Sequence, residues 1–135
     1  MAKTKPYTKQ LKQLMGEKSR VLSQAEAFEE MGLGETAQPL WAAAAACEER
    51  IAPLLDILGR ESEAALHRVS AAACYEQCAD PSRAANLYRA ALAGPLPDAR
   101  RQEVAELLSA CLGRLAGPSK KPVGPRLPRK VSAEA

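Results

Sequence analysis

Apolar residues return every three or four positions along most of the chain, with polar residues between them. That period belongs to helices with one buried side. Tyr7, Leu11, Leu14, Met15 and Leu22 form the first stripe, with lysines on the opposite side, and predict a helix over 7–31. Gly16 weakens its first half by about 1 kcal/mol relative to alanine. Met31-Gly32-Leu33-Gly34 stops it, with Gly32 or Gly34 suited to a left-handed cap. A second helix is expected over 35–58, through an alanine block, with Pro53 kinking or ending it. A third runs over 61–79 and a fourth over 81–93. Between them Asp80 can cap and Pro81 suits a first helical turn. Gly94-Pro95 ends the fourth helix. Val104, Leu107, Leu108, Cys111, Leu112 and Leu115 mark a fifth over 98–116, the cleanest amphipathic run in the chain. No window alternates with a period of two, so the expected class is all-α: antiparallel helical hairpins, about five helices, the last a cap.

The stretch from Glu63 to Leu92 carries a more specific pattern. Ala72, Tyr75, Ala84, Tyr88 and Ala91 place small residues where two helices approach, and aromatics where a ring fills the gap. Phe28, Gly32, Ala37, Trp41 and Ala44 repeat the positions of Tyr75, Ala79, Ala84, Tyr88 and Ala91 at a constant offset of 47. This arrangement resembles the tetratricopeptide (TPR) family over roughly residues 19–94, in two units. TPR units repeat at about 34 residues. The longer offset here is accounted for by an ordinary turn and an extended second helix in the first unit. The resemblance implies a right-handed array of hairpins whose first helices line a concave, peptide-gripping surface. The lining positions that it implies are Ser19, Leu22, Glu26, Glu29 and Glu30 in the first unit, and Leu66, Val69, Ala73, Glu76 and Gln77 in the second.

Composition changes the picture at the ends. Net charge is +3, but residues 1–20 carry +5 and residues 117–135 carry +4, which leaves −6 for the middle. All the lysines lie in the two ends. Residues 1–6 are expected to be a disordered basic start and 7–116 the helical domain. After Ala116, Pro122, Pro125 and Pro128 recur every third residue, as along one edge of a polyproline II helix. Residues 117–135, with Lys120, Lys121, Arg126, Arg129 and Lys130, are expected to form an extended, disordered basic tail; a terminal leftover without a role is the alternative. No apolar segment follows the basic start as in a secretory signal. The longest apolar run, from Leu40 to Cys47, is too short to span a bilayer. A cytoplasmic protein with reduced thiols and no membrane partner is expected.

Candidate chemistry is sparse. His67 is the only histidine. The pairs Glu29-Glu30 and Glu48-Glu49 diverge by about 100° on a helix and are expected to be solvated faces. Cys74 and Cys78 share a helix face, and with His67 and either Cys47 or Cys111 a metal can be imagined. Cysteine is among the most buried residue types, so core positions are preferred for all four. No enzymatic activity, cofactor or metal is implied.

The expected function is a small adaptor that binds another protein. Glutamates stand where carboxylate-binding members of the family carry basic residues, so a basic, extended partner segment is favoured. The alternative is a nucleic-acid-associated protein whose basic arms hold phosphates weakly and without sequence preference.

Overall fold

The computed structural model describes residues 5–117. Five helices account for nearly all of them: α1 (Lys5–Glu30), α2 (Gly34–Ile57), α3 (Glu61–Gln77), α4 (Pro81–Ala93) and α5 (Asp98–Ala116). There is no strand among the described residues. The expected basic tail, with Lys120, Lys121, Arg126, Arg129 and Lys130, lies outside them. Loops of three or four residues reverse the chain, so each helix packs on its chain neighbour.

Local chemistry explains the boundaries. α1, α2 and α3 each end in the same motif. Leu33, Arg60 and Asp80 send their backbone N–H back to the carbonyls of Phe28, Leu55 and Tyr75, at 2.8, 2.8 and 2.9 Å. This closure puts the preceding residue in the left-handed region, where glycine is favoured. Gly32 (φ 77°) and Gly59 (φ 78°) meet that requirement, and Ala79 (φ 60°) adopts it without being glycine. Of the two glycines proposed as the first cap, it is therefore Gly32 that serves. Asp80 caps α4 by accepting from the Arg83 backbone N–H at 3.2 Å. Arg101 of α5 donates to the carbonyls of Leu92 (2.9 Å) and Gly94 (2.8 Å), so it satisfies two acceptors at the end of α4.

Two expectations need correction, and one is narrowed. The helix begins at Lys5, so residues 5 and 6 belong to α1 and not to a disordered start. Proline is tolerated in a first turn, where its missing N–H has no helical partner. Pro53 does not end α2, which continues to Ile57 with Pro39 also inside it. Pro53 lies on the exposed side, where a carbonyl left without its helical donor can meet water. Glu48 is not solvated: it is 2% exposed.

The core is in two parts. The larger joins all five helices around Trp41, Tyr75 and Tyr88, with alanines 25, 37, 44, 45, 72, 84 and 91 letting the backbones approach. The smaller joins Leu11 and Leu14 of α1 to Ile51, Ala52, Leu54 and Leu55 of α2 and to Ala64 of α3. α2 is buried on much of its circumference because α1 and α3 both pack on it. It has 24 residues against 13 for α4, and that excess stretches the internal offset to 47. α5 is covered on one side only: Val104 and Cys111 are fully buried, while Leu112 and Leu115 stay exposed.

Candidate functional site

The last turn of α1, the start of α2 and the end of α3 meet around an open recess of about 520 Å³. Glu26, Glu29, Glu30, Trp41 and Gln77 line it. Helical spacing puts Glu26, Glu29 and Glu30 on one side of α1, since residues three and four apart are neighbours. The closure at Gly32 turns α2 back so that Trp41 comes beneath them. Trp41 Nε1 donates to Glu29 Oε2 at 3.0 Å. The other oxygen, Glu29 Oε1, stands 3.7 Å from where a Cβ on Gly34 would be, beside the first turn of α2. Unpaired N–H groups give a helix start a partial positive charge, which suits a carboxylate there.

The recess is electrically unbalanced. Most other acidic side chains of the body are matched: Glu48, Asp56, Glu63, Glu76, Asp80, Asp98 and Glu103 each form an ion pair. Among the described residues, Glu26, Glu29 and Glu30 form none; Glu17, Glu35, Glu49, Glu61 and Glu106 also form none, but only the first three share one recess. Three carboxylates therefore share a concave surface with an indole, one amide and no cation.

The other expected lining residues divide. Leu22 and Leu66 are half-buried against the main core, and Ala73 is exposed. Val69 does not line a surface; it is 6% exposed, inside the core, because its side of α3 faces its neighbours. Glu76 is already engaged. Tyr88 donates its hydroxyl to Glu76 Oε2 at 2.5 Å, and Arg114 reaches from α5 to Glu76 Oε1. Burial, then Glu76, raises the Tyr88 hydroxyl above its ordinary range, so it stays a donor. Neither Arg114 nor the use of Trp41 as a pocket wall was foreseen. One signal was available: Glu29 and Glu76 obey the same offset as Trp41 and Tyr88.

Further polar contacts lie between helices. Buried Glu48 accepts from His67 Nδ1 at 2.5 Å, and Lys18 Nζ is 4.0 Å away. Tyr75 donates to Glu49 Oε1, while Arg83 lies over the Tyr75 ring at 5.5 Å. These join α1 to α2, α2 to α3, and α3 to α4. The cysteines are free; Cys47, Cys74 and Cys111 are buried and Cys78 is half-buried. Burial pushes the Cys74 thiol up to about 12 and raises the other three as well. Among the described residues no group of three or more His, Cys, Asp or Glu side chains is placed to hold a metal ion. No described helix is long and apolar enough to cross a membrane. Comparison with protein-family models, with curated proteins and with solved structures finds no match to this chain.

Proposed function

We propose that this chain is a small cytoplasmic helical-repeat adaptor, TPR-like in its two units, which grips an extended basic segment of another protein. The observation that carries this reading is the recess at the end of α1, where Glu26, Glu29, Glu30 and Gln77 meet around Trp41 with no cation to balance them. On this reading the protein is not an enzyme and uses no cofactor. Exposed pairs contribute only about 0–1 kcal/mol each and are screened by salt. Affinity therefore comes from several contacts along α1 and α3 and falls as salt rises. The test is a titration of the labelled protein with a capped lysine-rich peptide, followed by NMR. Saturable shifts are expected at Glu26, Glu29, Glu30, Ala73 and Gln77, and they should shrink at high salt. Shifts scattered over the whole surface, or none, would refute the adaptor reading.

A nucleic-acid reading has one observation in its favour. Lys5, Lys9 and Lys12 are exposed on α1 at helical spacing and line a shallow recess with Pro6 and Thr8. Such a stripe suits phosphates, but the acidic body beside it does not. Weak binding to any duplex, lost between low and physiological salt, is the outcome expected of it. Tight, sequence-selective binding at physiological salt would reverse the ranking.

A further inference from the structure

The two units hold the same carboxylate in different states. Glu29 and Glu76 occupy equivalent positions, and each accepts from the aromatic of its own second helix, Trp41 or Tyr88. In the second unit the remaining oxygen, Glu76 Oε1, is taken by the guanidinium of Arg114, which also donates to Cys111 Sγ at 3.2 Å. That arginine comes from α5, the next first-type helix along the array. In the first unit the corresponding neighbour is α3, and the residue it brings to the recess is the neutral Gln77. The carboxylate and the aromatic are thus repeated, and the guanidinium is not. Instead the recess gains Glu26 and Glu30, where the second unit has Ala73 and Gln77.

We propose that this recess is an arginine pocket, a conclusion that rests on the adaptor reading and sharpens it to one side chain. A partner's guanidinium enters between Glu26, Glu29 and Glu30 and packs on the Trp41 indole, in the relation that Arg114 holds to Glu76. Three features favour arginine over other cations. The three carboxylates do not converge as metal ligands. A guanidinium presents a planar fork that pairs with a carboxylate through two N–H groups. Its weakly hydrated face stacks on an indole, which a compact, strongly hydrated ammonium does less well.

Trp41 is the only tryptophan, so its indole N–H signal and its fluorescence both report from inside the site. The experiment titrates the full chain with a short capped peptide carrying one central arginine among glycines and serines, and with its lysine counterpart. The arginine peptide should shift the indole N–H saturably and bind about fivefold tighter than the lysine peptide. Glu26→Gln with Glu30→Gln, both exposed positions, should weaken binding by about fivefold. Gln77→Arg should supply the absent guanidinium from within, so that peptide no longer moves Trp41. An unmoved indole signal overturns the arginine pocket, and so does equal binding of the two peptides. If the lysine-rich peptide still shifts α1 and α3 in that event, the adaptor reading survives without it. If neither probe binds, both fall.

Discussion

Trp41 and Tyr88, 47 residues apart in the chain, make the same hydrogen bond to a glutamate twelve positions earlier, Glu29 and Glu76. Each ring closes its own hairpin and each carboxylate lies on the preceding helix. The two settings differ in burial. Tyr88 is fully buried, whereas Trp41 is 9% exposed at the edge of the recess. Tyr88→Phe leaves Glu76 Oε2 without its donor in a partly buried site and should lower stability by about 1–2 kcal/mol. Glu29→Gln, beside water, should cost less than half of that. Urea unfolding of both variants checks the order, and a reversed order would show that the two hairpins are not built alike.

Ala79 gives a second test of the repeat. It sits at φ 60°, where its counterpart in the first unit is Gly32 at φ 77°. A side chain in the left-handed region costs about 1–2 kcal/mol, and glycine avoids that cost while losing some chain entropy. Ala79→Gly should therefore stabilise the protein by about 1 kcal/mol, read as a higher melting temperature by calorimetry. Gly32→Ala should do the opposite.

The helix boundaries were legible because local residues set them. Asp80-Pro81, Gly94-Pro95 and the Met31–Gly34 run act within a few residues of themselves, whatever the rest of the chain does. The offset that makes Trp41 and Tyr88 equivalent was legible for the same reason: it needs only a list of positions. Glu48 was not. Its partners His67 and Lys18 lie on other helices, and a charged residue among alanines looks solvated until α1 and α3 close over it. Glu76 reads as a surface acid in sequence because Arg114, 38 residues later, only reaches it through α5. Pro53 was half legible: it carries the mark of a helix stop, yet a helix packed on two sides continues past a proline that faces water.

The Glu48–His67 contact should stabilise asymmetrically. Removing the imidazole leaves a nearly dry carboxylate with only Lys18 in reach, and an uncompensated buried charge is costly. His67→Ala is expected to lower stability by about 2–3 kcal/mol. Glu48→Met keeps the volume, removes the charge and should cost much less. Chemical denaturation at neutral pH gives both numbers. Equal losses would mean that the pair stabilises by attraction rather than by compensating its own burial.

The thiols should be slow to react. Burial raises all four, Cys74 to about 12, so at pH 8 the thiolate fraction lies below that of a free cysteine, and three of the four are also covered. Alkylation followed by mass spectrometry should label half-buried Cys78 first, and label all four rapidly only after unfolding. Fast labelling of Cys74 in the native protein would contradict the packing of α3 against its neighbours.

Arg114 links the cap helix to the question of the pocket. Its guanidinium pairs with Glu76, but the side chain is half-exposed, so Arg114→Ala should cost only about 1 kcal/mol. Val104 and Cys111 remain buried in that variant and should keep α5 in place. What changes is Glu76, whose Oε1 loses its partner and comes to resemble that of Glu29. A short arginine peptide should then find a second site, reported by NMR shifts at Glu76 and Tyr88 that the unaltered protein does not show. It should be weaker than the first, because Ala73 and Gln77 stand there in place of Glu26 and Glu30. If Arg114→Ala instead collapses the shift dispersion of α5, the arginine holds the cap on, and its relation to Glu76 is a clasp within the fold rather than a copy of how a partner is held.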